Sequence, residues 1–210
     1  MSPIHTQKLA EVPVPEVVRD PEIIEAYLED ASGAPPGSTA GLLRVTDEAQ
    51  AAAFLRRTAP ENQSVIIQAA RSSLTGGAIP AGEVVISVER MAERGTVAGH
   101  GAGGRVNVQP GMRLIDLQAS LAREGFYYPP VPTYQQAKLG GTVSTNAGGA
   151  ASFMYGVTRL WVQALRVLLF NGELLILERG QTVARRGQSF TIILTDGRKL
   201  VVPVPDYQLP

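Results

Sequence analysis

The chain has 210 residues, of which 44% are hydrophobic and 18% charged, a composition typical of a folded globular protein. Nineteen basic and nineteen acidic residues give a formal net charge of zero, which argues against nucleic acid or an anionic membrane as the main partner. The absence of cysteine excludes disulfides, thiolate metal sites and a cysteine nucleophile. The two histidines, His5 and His100, lie far apart and are expected at the surface rather than in a metal site. The sequence lacks a secretory-signal pattern and a long apolar run, so a cytoplasmic location without a membrane span is expected.

The first half of the sequence predicts a small parallel α/β unit. Residues 21–30 have apolar residues at helical spacing after a proline, and Thr46 caps a second helix. The runs SVIIQAA and VVISV are β-branched without polar alternation, which is typical of parallel strands buried on both faces. The predicted elements are helices over 21–30 and about 47–57, and strands over 42–45, 64–70 and 84–88.

The second half predicts one helix and an antiparallel meander. Leucines at 114, 117 and 121 indicate a helix over 114–123 that ends at Gly125. Asparagine–glycine and aspartate–glycine pairs separate the apolar runs that follow, as in β-hairpins. The predicted strands are 162–170, 173–178, 190–195 and 199–203. We therefore divide the chain into an N-terminal helical segment (1–40), an α/β subdomain (41–104) and a mainly antiparallel subdomain (105–210).

A glycine-rich loop follows the strand SVIIQAA. This first loop, Arg71 to Pro80 (RSSLTGGAIP), combines turn amides, hydroxyl groups and one arginine, which suits an anion such as pyrophosphate. It has no lysine after its glycines and lacks the Rossmann fingerprint, so an ordinary nucleotide site is not indicated. An ordinary turn at the exit of a strand is the equally weighted alternative.

A second loop, Pro129 to Ala150 (PPVPTYQQAKLGGTVSTNAGGA), is too long for a simple connection. Two glycine pairs bracket small polar residues, which suits hydrogen bonds to the edge of a flat ring. The alternative is a pair of tight turns around one helical turn.

The two loops, in this order, resemble the flavin-binding domain of the vanillyl-alcohol oxidase / p-cresol methylhydroxylase (PCMH-type) family, in its glycolate oxidase and D-lactate dehydrogenase branch. The matching segments are LEDAS, LTGGAIP, VQPGMRLIDLQASLAREGFYYPPVPT, LGGTVSTNAGGA and YGVTRLWVQALRVLLFNGELL. The resemblance implies an α+β fold, with a small parallel α/β subdomain and a larger mainly antiparallel β subdomain with flanking helices.

The resemblance also implies a cofactor, FAD. In the family the first loop wraps the pyrophosphate and the second passes along the flavin. The implied cofactor-binding residues are Arg71, Ser72, Ser73, Leu74, Thr75, Gly76, Gly77, Pro132, Thr133, Gly140, Gly141, Thr145, Asn146, Gly148, Gly149 and Tyr155. The FAD is expected to be non-covalent, because relatives attach it through histidine or cysteine and both loops lack these residues. Many relatives have glycine where this chain has Ala69, Arg71 and Ser73, so the first turn is expected to be less permissive.

The implied activity is oxidation of a 2-hydroxy acid such as glycolate or lactate by hydride transfer to FAD. No catalytic residue is assigned, because Asp116, Glu124 and Glu173 are expected to be solvated carboxylates, and Tyr127 and Tyr128 packing aromatics. Family enzymes are more than twice as long and carry a cap domain, which the resemblance leads us to expect to be absent here. The alternative is a non-catalytic FAD-binding subunit or truncated fragment that needs a cap-bearing partner chain or associates with itself. A cell-wall precursor reductase, which also uses NADPH, is a weaker third interpretation.

Overall fold

The computed structural model describes residues 3–99, 103–130, 132–183 and 185–206. The chain forms two compact units, and each is assembled from separate stretches of sequence. The antiparallel unit comprises Met1–Val14, Glu48–Glu61 and Val162–Pro210, and the parallel unit comprises Pro15–Asp47 and Asn62–Trp161. His5 is exposed, whereas His100 lies outside the described residues. Among the described helices, none combines the length and apolar character that crossing a bilayer requires.

The parallel unit is built on a three-stranded sheet of β2 (Gly41–Arg44), β3 (Val65–Gln68) and β4 (Val84–Ser87). The strand order is β2-β4-β3, and both pairings are parallel. All four residues of the central strand β4 are buried, because neighbours cover both of its faces. The parallel sheet predicted from the sequence is therefore confirmed.

The helices of the parallel unit are short. They are α1 (Pro21–Ile24), α3 (Leu114–Ala122), α4 (Leu139–Ser144) and α5 (Ser152–Tyr155), with 3₁₀ turns at Glu25–Tyr27 and Thr158–Trp161. The first helix is shorter than the predicted 21–30. Asp30 accepts a hydrogen bond from the amide of Ser32 at 3.0 Å, and such local bonds compete with helical ones.

The antiparallel unit contains a five-stranded sheet in the order β5-β6-β1-β7-β8. Its strands are β1 (Ile4–Lys8), β5 (Ala164–Leu168), β6 (Glu173–Glu178), β7 (Ser189–Ile193) and β8 (Lys199–Pro203). The two predicted hairpins, β5–β6 and β7–β8, are confirmed. They do not form one meander, because β1 lies between them, antiparallel to β6 and parallel to β7. The sequence pattern does not predict β1, since only Ile4 and Thr6 point inward along it.

One helix, α2 (Glu48–Thr58), belongs to the antiparallel unit. Its Glu48 accepts two hydrogen bonds from Arg166 of β5, at 2.7 and 2.6 Å, and its Arg56 donates to the carbonyl oxygen of Gly172 at 3.3 Å. The helix is therefore fixed to the β5–β6 hairpin at both ends.

Glu173 is not the solvated carboxylate that the sequence pattern predicts. Only 6% of the residue is exposed, at the start of β6. Its carboxylate accepts hydrogen bonds from the hydroxyl of Thr6, the hydroxyl of Thr195 at 2.6 Å and the amide of Thr195 at 3.1 Å. Burial raises the pKa of Glu173, but these donors outweigh it and hold the pKa below its usual range. The carboxylate thus connects β1, β6 and the β7–β8 turn.

Candidate functional site

The carboxyl ends of the three parallel strands meet at one edge of the sheet. Arg44, Gln68 and Ser87 are the last residues of β2, β3 and β4, and the pairing registers place them side by side. The first loop leaves β3 at this edge. Ligands of α/β sheets bind outside the carboxyl ends of the strands, so the loop begins where a ligand is expected.

Asp30 holds the two ends of the first loop together. Its carboxylate accepts a hydrogen bond from the amide of Ala78 at 3.2 Å, and the hydroxyl of Ser73 is near enough to lower its pKa. Burial raises the pKa of Asp30, but the hydrogen bonds from Ser32, Ala78 and Ser73 outweigh it and keep the pKa below its usual range. Asp30 is not among the predicted site residues, although it lies in the LEDAS segment.

Gln68 provides a second anchor from beneath the loop. Its Nε2 donates to the carbonyl oxygens of Ala78 at 2.6 Å and Tyr27 at 2.8 Å, and the side chain is fully buried. The amide of Ala31 donates to the carbonyl oxygen of Arg71 at 3.1 Å. The loop is therefore fixed to the segment after α1 at its beginning and at its end.

Inside the loop, one hydroxyl group shapes the backbone and several amides stay free. The Oγ of Ser73 accepts hydrogen bonds from the amides of Thr75 at 3.2 Å and Gly77 at 3.3 Å. Within the described part of the chain, the amides of Ser72, Ser73, Leu74 and Gly76 donate to no acceptor. Successive free amides next to a left-handed residue form a concave anion site. The first loop can hold an anion in this way.

Arg71 supplies the left-handed residue. Its φ is +53°, a conformation that is uncommon for residues other than glycine. An arginine at this position was expected to make the turn less permissive, yet the backbone adopts the conformation that glycine favours. The guanidinium carbon lies 4.5 Å from the centre of the Tyr27 ring, and Nη1 is buried without a hydrogen-bond partner in the described chain.

Charged side chains surround Arg71. Glu89 accepts a hydrogen bond from the hydroxyl of Tyr27, and Lys138 donates to the carbonyl oxygens of Gly111 at 3.1 Å and Glu89 at 3.4 Å. Burial lowers the pKa of Lys138, Glu89 and Asp116 oppose this effect, and Arg113 and Arg71 lower the pKa further. Burial and the hydrogen bond to Glu89 raise the pKa of Tyr27. No sequence motif points to Lys138 or Glu89 as part of the site.

The second loop contains a short helix, in line with the alternative of tight turns around one helical turn. Residues 139–144 form α4, and Asn146 follows it with a φ of +50°. The two glycines of α4 have different surroundings. A Cβ on Gly140 would lie 2.6 Å from Pro110 Cβ, whereas a Cβ on Gly141 would meet Ala69 Cβ at 3.9 Å, an ordinary contact. Gly140 thus allows close packing, and Gly141 brings α4 next to the residues that precede the first loop.

The polar residues after α4 have structural partners. Thr145 Oγ1 donates to the carbonyl oxygen of Gly141 at 2.9 Å, and Asn146 Oδ1 accepts from the amide of Arg159 at 2.9 Å. The amide of Gly149 donates to Ser152 Oγ at 2.8 Å. These bonds fold the LGGTVSTNAGGA segment back on the Thr158–Trp161 turn.

The remaining predicted site residues are less closely placed. Pro132 is half-buried and Thr133 exposed in the stretch before α4, and neither is hydrogen-bonded to the first loop within the described residues. Gly148 is exposed. Tyr155 is 39% exposed at the end of α5, and its ring centre lies 6.4 Å from that of Tyr127 in an edge-to-face contact. Tyr128, by contrast, is half-buried, and burial raises its pKa to about 12.

Comparisons with known proteins identify the ligand class. A family model described as an FAD binding domain matches residues 39–178. D-lactate dehydrogenase of Anaerostipes hadrus is 33% identical over 154 residues, covering 72% of this chain and 31% of the relative. D-2-hydroxyglutarate dehydrogenase of Stutzerimonas stutzeri is 30% identical over 169 residues, covering 78% and 35%. The chain spans about a third of the length of these relatives.

Solved structures share the fold. Chitooligosaccharide oxidase superposes with a TM-score of 0.67 at 21% identity, over 79% of this chain and 35% of the other. A 6-hydroxy-D-nicotine oxidase from Arthrobacter nicotinovorans has a TM-score of 0.67 at 14% identity, over 79% and 36%. These similarities confirm the predicted α+β fold.

The residues of the parallel unit fit FAD. The free amides and the unpartnered guanidinium nitrogen of the first loop are donors that a pyrophosphate requires. A Cβ on Gly77 would meet nothing closer than Ser73 Oγ at 3.5 Å, so the loop surface is open for close approach. With the family model matching two thirds of the sequence, the chain belongs to the FAD-binding domain family of flavoprotein oxidoreductases and has FAD as its cofactor.

Proposed function

We propose that this chain is the FAD-binding part of an oxidoreductase that oxidises a 2-hydroxy acid of the glycolate or lactate type. The observation that carries the proposal is the first loop, which leaves β3 at the carboxyl edge of the parallel sheet and has backbone amides without acceptors in the described chain. The relatives that are named D-lactate dehydrogenase and D-2-hydroxyglutarate dehydrogenase support this substrate class. When bound, FAD supplies the hydride-accepting group for the carbon that carries the substrate hydroxyl.

In this proposal the protein binds and orients the cofactor. Residues 71–77 hold the pyrophosphate through backbone amides, and Asp30 and Gln68 keep that loop in shape. The segment around Gly140, Gly141, Thr145, Asn146, Gly148 and Gly149 lies along the flavin, with Pro132, Thr133 and Tyr155 at its border. Neither loop contains histidine or cysteine, so the cofactor is held non-covalently.

The three carboxylates considered in the sequence analysis have structural partners. Asp116 receives two hydrogen bonds from Arg113, at 2.5 and 2.9 Å, and Glu124 forms an ion pair with Arg94. Glu173 is buried in the antiparallel sheet. We therefore assign no catalytic residue within this chain.

The visible absorbance spectrum tests cofactor binding. The purified chain is mixed with FAD, passed through a desalting column and compared with the untreated chain. We expect retained flavin absorbance, and release of all flavin into the supernatant on acid precipitation, since the attachment is non-covalent. Anaerobic addition of D-lactate, D-2-hydroxyglutarate or glycolate then tests for bleaching. A chain that retains no flavin contradicts the proposal.

The second candidate function is a non-catalytic FAD-binding subunit that works with a cap-bearing partner chain. Large apolar side chains of the parallel unit favour it, because Phe153, Met154 and Leu160 are 102%, 76% and 59% exposed. Clustered exposed apolar residues mark interaction surfaces. Stable co-purification of a second chain that restores bleaching by substrate supports this candidate, and full activity of the isolated chain excludes it.

Two further expectations belong to the proposal. The division into FAD-binding subdomains at 41–104 and 105–210 is kept as a functional prediction, which separate expression of each segment with FAD titration tests. A cytoplasmic location is kept as a prediction from the apolar pattern, and subcellular fractionation tests it.

A further inference from the structure

Arg71 is the charged residue of the site that the proposed function leaves without a partner. The residue is half-buried, and among the described residues no carboxylate forms an ion pair with it. Its Nη1 is buried and has no acceptor. Buried polar groups in native proteins are nearly always hydrogen-bonded, so an arginine in this state calls for an anionic partner.

Charged groups of both signs lie around Arg71 in the described part of the chain. Tyr27, whose ring the guanidinium covers, interacts with Glu89 and Arg44, and Lys138 interacts with Glu89, Arg113 and Asp116 as well as with Arg71. The carboxylate of Glu89 accepts the hydroxyl hydrogen of Tyr27. None of these groups supplies an acceptor for the buried Nη1 of Arg71.

The free amides of the first loop begin at the residue after Arg71. Arg71 has a left-handed φ of +53°, and the amides of Ser72, Ser73 and Leu74 follow it directly. While the guanidinium lies over the Tyr27 ring, one of its N–H donors has no acceptor. A phosphate bound at the adjacent amides would accept a hydrogen bond from this donor, which the ring does not do. The side chain of Arg71 and the backbone amides that follow it can thus bind the same anion.

We propose that Arg71 leaves the Tyr27 ring to bind one phosphate of a diphosphate group while the amides of residues 72–74 bind the other, so that the site selects diphosphate ligands over monophosphate ones. Glu89 and Tyr27 are positioning residues in this arrangement, and Lys138 adds a second positive charge. The inference rests on the proposed function, because FAD is the diphosphate ligand. It goes further by assigning selectivity to a side chain where a backbone loop alone would suffice.

Arg71→Gly is a suitable variant because glycine favours the backbone conformation at this position, so the loop keeps its shape while the charge is lost. Arg71→Lys keeps the charge and removes the flat two-pronged donor. Arg123→Gln is the matched control, since Arg123 is an exposed arginine at the end of α3 and its loss changes the net charge equally. Circular dichroism confirms the fold of each variant.

The experiment measures the dissociation constants of FAD, FMN, riboflavin, ADP and AMP by titration at low and at high salt. For the wild-type chain we expect FAD to bind more tightly than FMN, and ADP more tightly than AMP. Arg71→Gly weakens FAD and ADP about tenfold or more, as expected for loss of a charged hydrogen bond, and leaves riboflavin binding unchanged. It also reduces the salt dependence of FAD binding. Arg71→Lys gives an intermediate loss, and Arg123→Gln gives none.

The outcomes separate this inference from the proposed function. If the wild-type chain binds FAD and Arg71→Gly binds it equally well, the inference is overturned and the proposed function stands. If the wild-type chain binds ADP through Arg71 but does not bind FAD, the diphosphate site stands and the flavin function fails. If it binds neither ligand, both fail.

Discussion

At the scale of single residues, Glu173 shows how a carboxylate is kept charged without a cation. Hydroxyl groups of Thr6 and Thr195 and one backbone amide surround it, at a position where only 6% of the residue is exposed. Charged hydrogen bonds of this kind stabilise a fold more than neutral ones do. The side chain therefore contributes to the stability of the antiparallel sheet rather than to the chemistry of the chain.

Glu173→Gln should lower the free energy of unfolding by about 1–2 kcal/mol, because the neutral amide loses the charge that strengthens these hydrogen bonds. Glu178→Gln, at the exposed end of the same strand, is the matched control and should change stability by less than about 0.5 kcal/mol. Urea denaturation at neutral pH measures both. Equal stability of the two variants would contradict the structural role of Glu173.

The same carboxylate predicts a pH dependence. Its pKa in the folded chain lies below the ordinary value of 4.5 that applies in the unfolded chain. The stabilisation is therefore complete above pH 4.5 and is lost as the pH falls through the folded-state pKa. Unfolding of the wild-type chain should become easier over this acidic range, and the difference between wild-type and Glu173→Gln should shrink there. A difference that is constant down to the acid transition would rule out Glu173 as the titrating group.

At the scale of elements, α4 combines two glycines with opposite requirements. Gly140→Ala should destabilise the chain by about 1–3 kcal/mol, because its Cβ would lie 2.6 Å from Pro110 Cβ. Gly141→Ala should stabilise it by about 0.5–1 kcal/mol, since alanine favours a helix and the nearest atom is 3.9 Å away. If the flavin passes this helix, Gly141→Ala should nevertheless weaken FAD binding. Thermal unfolding and FAD titration of both variants separate packing from cofactor contact.

The strand β1 is expected to be essential for the antiparallel sheet. Ile4 is 4% exposed and packs with Leu175, Ile192 and Leu194. Ile4→Ala should cost about 2–5 kcal/mol, the usual range for truncating a buried isoleucine. The neighbouring His5 is exposed, so His5→Ala should leave stability within about 0.5 kcal/mol of wild-type. Comparable losses in both variants would indicate that β1 is not held in the sheet.

The helices and strands also show which parts of the fold can be predicted from the sequence alone. The three parallel strands and the two hairpins follow from short-range patterns, β-branched runs and turn pairs, and the structure confirms them. β1 is missed because its burial depends on partners more than 150 residues away, as in the pairing of Thr6 with Leu175. The helix α4 is predicted only as one helical turn in an alternative interpretation, because its residues, LGGTVS, include two glycines and have little helical propensity. Packing on Pro110 and Ala69 decides its conformation.

The residues of the candidate site also fall into two groups, those that sequence motifs indicate and those that only the folded structure reveals. Glycines and hydroxyl residues in the two loops indicate a phosphate and flavin site through a recognisable order of motifs. The contributions of Asp30, Gln68, Glu89 and Lys138 depend on contacts between distant segments, which one sequence does not reveal. The left-handed conformation of Arg71 belongs to this second group, since the residue type alone argues against it.

At the scale of the whole molecule, exposed apolar surface coincides with zero formal net charge and an isoelectric point of about 6.8. Charge repulsion therefore does little to oppose association near neutral pH. We expect concentration-dependent self-association in light scattering, reduced by Phe153→Ser with Met154→Ser. Phe170→Ser, a change at an exposed phenylalanine in the other unit, should not reduce it. A monodisperse wild-type monomer over the accessible concentration range would contradict this expectation.

The position of β1 in the sheet also determines when the antiparallel unit can fold during synthesis. This strand is synthesised well before its partners, because more than 160 residues separate it from β6 and β7. Contacts this distant in sequence form slowly, whereas the parallel unit has most of its residues in one continuous stretch, Asn62–Trp161. A nascent chain that stops before β7 leaves one edge of β1 unpaired, and such edges pair with other chains. Translation must therefore pass β7 before both edges of β1 are paired and protected from aggregation.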